Sequence, residues 1–266
     1  MEETILETRD LSRSFGEILA VDRLNLSVAV GEVFGLLGPN GAGKTTAIKM
    51  FTTLLKPTSG SAKVAGHDII KEAMQVRRVI GYVPQLISAD ATLTGYENLL
   101  AFASLYDIPH GEIKERVRQA LAFMGLQDAA GRLVRTYSGG MIRRLEIAQS
   151  VLHRPRLLFL DEPTIGLDPL ARKAVWKHIM DLRSEHEMTI FMTTHMMDEA
   201  DSLCQRIAIM HHGRVAAIGQ PAELKKTVGE HATLEDVFIH YSGDMIESGE
   251  SYRQTASTRR TARRLG

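Results

Sequence analysis

The sequence predicts an α/β fold around a central, largely parallel sheet, and three observations carry that prediction. Short apolar runs that read as buried strands recur along the chain: "VFGLLG", "RLLFLDEP" and "MTIFMTTH". Stretches of helical spacing alternate with them. From about Leu86 to Leu152 the texture becomes helical throughout, with few strand signals. Strands and helices alternating on both sides of a helical insert define this class.

Element by element, "TILETRDLSRSFG" and "NLSVAVGEVFGLLG" carry short β-like runs punctuated by glycine. "KTTAIKMFTTLL" has helical spacing, "KPTSGSAKVAG" is a turn followed by a short strand, and "VIGYVPQ" is a strand ending at Pro84. In the insert, "TGYENLLAFASLYD" and "EIKERVRQALAFMGL" are amphipathic helices. "PLARKAVWKHIMDLRSEH" is a helix with proline in its first turn. "RIAIMHHGRVAAIG" reads as a hairpin whose turn holds His211 and His212, and "QPAELKKTV" and "TLEDVFIHY" as short helices. The expected organisation is one α/β domain over 1–242, with the helical subdomain 86–152 inserted, and a tail over 243–266. The last part of that tail carries Arg253, Arg259, Arg260, Arg263 and Arg264 without an acid. With so few apolar residues it is expected to be disordered; a weak attraction to anionic lipid is the second reading.

Bulk properties narrow the function. The chain has 266 residues, with 32 Lys+Arg balanced by 32 Asp+Glu. A net charge of zero gives no global grip on nucleic acid, so no nucleic-acid partner is expected. The one cysteine, Cys204, is too few for a structural zinc site and reads as a small buried residue. The acidic start lacks a signal-peptide core, and no run of about 18 apolar residues occurs. A soluble, cytoplasmic chain that can still dock on a membrane protein is the expectation.

The chemistry starts at "GPNGAGKTT", residues 38–46, which fits G-x-x-x-x-G-K-[ST] at Gly38, Gly43, Lys44 and Thr45. Glycine lets backbone N–H groups approach phosphate without a Cβ in the way. The following helix adds its positive end. Lys44 reaches the outer phosphates and Thr45 offers a hydroxyl to Mg²⁺, while Gly41, Gly43 and Thr46 lie within reach of phosphate oxygens. The second piece is "LLFLDEP", where an apolar strand delivers Asp161 and Glu162 to the carboxyl edge of the sheet. Asp161 is the candidate Mg²⁺ carboxylate. Glu162, aimed the other way, is the candidate general base. Alone, "DE" after an apolar run is a weak signal; beside the loop it is a strong one.

Those two pieces fit many nucleotide hydrolases. The deciding stretch is "TYSGGMIRRLEIAQSVLHRPRLLFLDEPTIGLDP". "SGG" opens a helix with Ser138 as its cap, so a second set of free amides, at Gly139 and Gly140, forms a second phosphate cradle. Two cradles in one chain make sense if two copies meet head to tail and each closes the other's site.

Here the sequence resembles the ATP-binding-cassette family, from about Ile5 to Gly219. The resemblance implies a P-loop NTPase core with a mostly parallel sheet, N-terminal antiparallel strands and a helical subdomain. It implies ATP and Mg²⁺ as ligands, with nucleotide contacts from Phe15, Gly38, Asn40, Gly41, Ala42, Gly43, Lys44, Thr45, Thr46, Ser138, Gly139, Gly140 and Asp168. Phe15 falls where the family stacks a ring on adenine, and Asp168 in the loop that crosses to the other subunit. Gln85 of "YVPQ" matches the glutamine that touches Mg²⁺ and water, and His195 of "TTH" the histidine that contacts the terminal phosphate. Glu162, His195 and Gln85 form the catalytic set, and Thr45, Gln85 and Asp161 the Mg²⁺ set.

Met141 stands where the broad family often has glutamine, and Phe15 where tyrosine is common. The "YSGGM" form and the closing "TLEDVFIHYSG" resemble the ATPases of daunorubicin-type drug and antibiotic exporters. The implied role is a peripheral ATPase on the cytoplasmic face of the membrane, paired with a second copy and an integral membrane permease. Two alternatives stay open: a cassette for another cargo (lipid, sodium or import), and one acting on nucleic acid or ribosomes.

Overall fold

The computed structural model describes residues 3–247. The chain opens with β1 (Thr4–Phe15), β2 (Ile18–Leu24), β3 (Ser27–Ala29) and β4 (Val33–Leu37), then α1 (Lys44–Phe51). Next come β5 (Ser59–Val64), β6 (His67–Asp68), α2 (Ala73–Val79) and β7 (Ile80–Val83). The insert supplies α3 (Gly95–Ala103), α4 (His110–Phe123) and α5 (Gly139–Val151). The chain returns through β8 (Leu157–Asp161), α6 (Pro169–His186), β9 (Thr189–Thr194) and α7 (Met197–Leu203). It closes with the hairpin β10 (Arg206–His211) and β11 (Arg214–Gly219), then α8 (Pro221–Val228) and α9 (Leu234–Glu247).

Among the described residues two sheets form. The larger has the order β11-β10-β4-β9-β8-β7, parallel except for the β10–β11 pair. The smaller is the antiparallel N-terminal sheet β2-β1-β5-β6, with β3 also paired to β1. Every residue of β4, β8 and β9 is buried, as a parallel sheet covered on both faces requires. Alternate residues of β8 serve the two faces. Leu157 and Phe159 join Phe34, Phe51 and Phe191 under the N-terminal sheet, while Leu158 and Leu160 join Leu99, Leu121 and Leu145 of the helical insert. Phe51 meets Phe191 edge-on at 5.5 Å, and Phe34 stacks on Phe191 at the same distance.

Helix ends follow their sequence signals. Thr94 and Glu97 form a reciprocal capping box on α3, and Asp168 accepts from the amides of Leu170 and Ala171 ahead of Pro169 on α6. Between Val83 and Leu157 the described chain holds helices and turns, with one isolated bridge between Thr94 and Leu133.

Three readings need correction. His211 is not in the turn: it is the buried last residue of β10, its ring edge-on to Phe238 of α9 at 6.2 Å. The turn is His212–Gly213, both with positive φ (46° and 79°), and two such residues make the tight connection that matches strand twist. The short elements α2, α7 and β6 carry no sequence signal: α2 buries only Val76, and β6 has two residues. Helix α9 runs unbroken through the boundary expected at 242; the arginine-rich residues beyond 247 lie outside the described part. Cys204 is buried, as its isolation suggests, and burial, with a smaller contribution from the Glu199 charge, pushes its thiol well above the usual range.

Candidate functional site

Parallel pairing brings the functional residues to one edge. Leu37 pairs with Thr194, Asp161 with Thr193, and Val83 with Leu160. The phosphate loop, the carboxylates, His195 and Gln85 therefore leave the sheet side by side at its carboxyl edge, where ligands bind in such sheets.

The loop is shaped by close backbone approach. Gly43 has φ 107°, and a Cβ there would run into the carbonyl of Ala20; one at Gly38 would run into that of Met210. No side chain hydrogen-bonds the start of α1, so its first amides stay free for an anion. The amide of Gly213, from the hairpin turn, holds the Ala42 carbonyl at 2.9 Å. Lys44 is buried and donates to the carbonyls of Gly38 (2.7 Å) and Pro39 (3.1 Å).

The two carboxylates divide as the sequence suggests. Asp161 stays on β8: its Oδ1 accepts from Thr193 (2.6 Å) and Thr45 (3.2 Å), while Oδ2 is buried with no hydrogen-bond partner. Glu162 turns away through a left-handed conformation, φ 50°, at a cost of order 1–3 kcal/mol for a residue with a Cβ. Its amide donates to the Thr193 carbonyl and hydroxyl, which over-determine the turn. Its carboxylate then lies between Lys44 Nζ at 3.0 Å and His195 Nδ1 at 2.7 Å. Tyr82 on β7 is pushed up to about 12 by burial and by the Asp161 charge, so its phenol stays neutral.

A cavity of about 300 Å³ opens over this edge, lined by Asn40, Gly41, Gly43, Lys44, Thr45, Thr46, Gln85 and Glu162, all sequence candidates, together with Ala20. Ala20 comes from β2, where nothing in the sequence marks it. Thr193 was legible only as part of "TTH". Ser138, Gly139, Gly140, Asp168 and Phe15 do not line this cavity, and neither do Gly38, Ala42, Asp161 and His195. Ser138 caps α5, accepting from the Met141 amide at 3.3 Å. Gly140 lies against Ala171 and Gly139 against Leu167, so the start of α5 and the start of α6, which Asp168 caps, form a separate cluster. Phe15 ends β1, half-exposed, with the Arg13 guanidinium 4.6 Å over its ring.

Asp161 Oδ2, the Thr45 hydroxyl and the Gln85 amide oxygen are hard oxygen donors, and a buried carboxylate oxygen without a partner suits a cation. The set fits Mg²⁺, which is held by one or two carboxylates plus substrate phosphates.

Comparisons with known proteins identify the family. Residues 21–165 match the family described as ABC transporter. The chain is 47% identical over 226 residues to the daunorubicin/doxorubicin resistance ATP-binding protein DrrA of Streptomyces peucetius, covering 85% of this chain and 68% of that protein. It is 40% identical over 231 residues to the linearmycin resistance ATP-binding protein LnrL of Bacillus subtilis, covering 87% and 74%. Among solved structures, cbiO1 of Clostridium perfringens, part of the transporter complex cbiONQ, superposes with a TM-score of 0.78 at 31% identity, over 84% of this chain and 91% of that one. The ATP-binding cassette MJ0796, a dimer in a post-hydrolysis state with ADP and Pi, gives 0.72 at 25% identity, over 81% and 98%. Loop, carboxylate strand and kinship point the same way: the chain belongs to the ABC transporter family, as an ATP-binding and ATP-hydrolysing subunit.

Proposed function

We propose that two copies of this ATPase close head to tail over two ATP molecules and so drive a separate integral membrane permease that exports drugs or other hydrophobic compounds. The observation that carries the catalytic half is the placement of Glu162 between Lys44 and His195 at the mouth of the phosphate cavity. When the terminal phosphate arrives, Lys44 and His195 gain phosphate oxygens as partners. The Glu162 carboxylate is then free to accept a proton from the attacking water. Asp161, Thr45 and Gln85 would hold Mg²⁺, which when bound neutralises charge on the phosphate oxygens.

The dimer reading rests on the separation of the two cradles. Ser138 and Gly139 are exposed at the start of α5, away from the cavity of their own chain. Leu170, beside Asp168, is 79% exposed, an apolar side chain suited to burial against a second copy. Phe15 is the proposed adenine platform, and adenine would replace or sandwich the Arg13 guanidinium on its ring.

For the permease, a larger groove of about 780 Å³, which shares no lining residue with the nucleotide cavity, lies between α2 and the turn after α3. Its apolar rim, Leu54, Met74 and Leu105, is exposed, as a docking surface requires. No helix among the described residues is long and apolar enough to cross a membrane; the separate spanning polypeptide and the place at the cytoplasmic face are part of the proposal. Export of drugs follows the names of the two resistance proteins at 47% and 40% identity.

The test is capture from native membranes. The chain should bring down a multi-spanning protein, and Leu105→Asp should abolish capture while ATP hydrolysis persists. Vesicles carrying the complex should accumulate an anthracycline only with ATP. Recovery of RNA or ribosomes instead would overturn the reading, and accumulation of lipid or sodium alone would replace the cargo.

A further inference from the structure

The Gln85 loop is exposed, yet its root is held from inside the molecule by a polar stripe on α5. Arg143, Glu146 and Gln149 recur every three residues on this helix and all are buried. Arg143 Nη1 donates to the Pro84 carbonyl at 2.7 Å and Nη2 to the Gln85 carbonyl at 3.0 Å. Glu146 Oε1 accepts from the amide and the hydroxyl of Ser88. Arg143 and Glu146 also form an ion pair, Nη1 to Oε2 at 3.1 Å, without hydrogen-bond alignment at Oε2. Gln149 reaches the Asn98 side chain, which in turn accepts from the Asp90 amide. Residues 85–88 thus leave the core at two points, and each is tied to the same helix.

That helix is the one whose first residues are Gly139 and Gly140, capped by Ser138. The distance along it from Ser138 to Arg143 is little more than one turn. A buried ion pair is a poor device for stability, because desolvating both charges offsets most of their attraction. Well-packed apolar residues would hold α5 against the sheet at least as well. They would not hold two carbonyls and an amide of an exposed loop in register.

We propose that Arg143 and Glu146 are positioning residues for Gln85. They lock the 84–88 loop to α5, so that Gln85 at one nucleotide site and the Ser138 cradle move as one rigid piece. The inference rests on the reading of Gln85 as a contact to metal and water. Arg143 touches neither substrate nor metal and acts through the loop.

The test pairs the clamp with its target. Arg143→Met alone would strand a buried carboxylate and can unfold the chain. The double variant Arg143→Met/Glu146→Leu removes both charges and keeps the volume apolar, so its Tm should stay within about 4 °C of the parent, a shift of about 1 kcal/mol for a domain of this size. KM for ATP should stay within about twofold, since the phosphate loop is intact, while kcat falls about tenfold or more, as small misplacements near a reacting centre do. In a Gln85→Ala background, the same double substitution should lower kcat by less than about twofold, because residues acting as one unit are not additive.

An unchanged kcat in the double variant overturns the proposal. So does an equal fold-loss in both backgrounds, which marks a merely structural defect. If Gln85→Ala by itself leaves kcat unchanged, the reading of Gln85 has failed and the clamp falls with it. If Gln85→Ala lowers kcat and the clamp variant lowers it further by its full factor, the reading of Gln85 stands and only the clamp is wrong.

Discussion

Replacing Glu162 by glutamine should slow ATP turnover by about 10²–10⁴-fold, the usual contribution of a positioned general base, and leave ATP binding in place. Glutamine keeps the shape of the side chain and an oxygen that still accepts from His195, but it cannot take a proton from water. The binding groups are elsewhere: Lys44 on α1, the loop amides, and the Asp161–Thr45 pair. The substitution also removes the ion-pair partner of Lys44, whose Nζ retains the Gly38 and Pro39 carbonyls. The ammonium is then freer for phosphate, so an ATP-bound dimer should accumulate. Single-turnover hydrolysis and size-exclusion chromatography with ATP measure the two effects. Near-normal hydrolysis would remove Glu162 from its role.

Lys44→Ala should act on the other step. A charge-assisted hydrogen bond to a phosphate is worth about 1.5–3 kcal/mol, or about ten- to a hundredfold in Kd. Lys44 is placed to make at least one such bond, because it lines the cavity together with Gly41 and Thr46. The nucleotide-free protein is destabilised as well: Glu162 stays buried with its His195 contact but without the Lys44 cation, and removing one partner of a buried ion pair is costly. Calorimetric titration with ATP should show the loss in affinity, and at a fixed ATP concentration the rise in Tm should be smaller than for the parent. An unchanged Kd would mean that the loop binds its ligand without the lysine.

Much of the fold is legible because buried parallel strands read as unbroken apolar runs. β4, β8 and β9 fall on "VFGLL", "LLFLD" and "TIFMTT", and α6 runs from its proline to His186 as its spacing predicts. The loop and carboxylates are legible because phosphate chemistry needs glycine, lysine, hydroxyl and acid at fixed spacings. What supports them is not. Ala20 and Met210 from their strands and Gly213 from the hairpin turn shape the loop, and their contribution is a backbone atom that no residue type advertises. The buried carboxylate of Glu199, which accepts from Thr164 (2.7 Å) and the Trp176 ring nitrogen (2.9 Å) behind the His195 turn, looks in sequence like any acid in the solvated first turn of a helix. Arg143 and Glu146 look likewise like a surface i,i+3 pair. His211 departs from its sequence signal for the reverse reason: histidines beside a glycine suggest a turn, but the hairpin needs only His212 and Gly213.

The central claim is that each ATP is held by the loop of one copy and the Ser138 cradle of the other. Occluded nucleotide in mixed dimers tests it most directly. One copy carries Lys44→Ala and the other Ser138→Arg, both in the Glu162→Gln background so that trapped ATP persists. Ser138→Arg loses a helix cap, worth about 1 kcal/mol, and fills the space at the start of α5. Each homodimer then has two damaged sites. In the mixed dimer, both lesions fall in one site, and the other pairs an intact loop with an intact cradle. The account predicts one occluded ATP per verified mixed dimer and none in either homodimer. If loop and cradle of one copy served the same ATP, each site of the mixed dimer would carry one lesion. No occluded ATP would then be found, and that result would contradict the account.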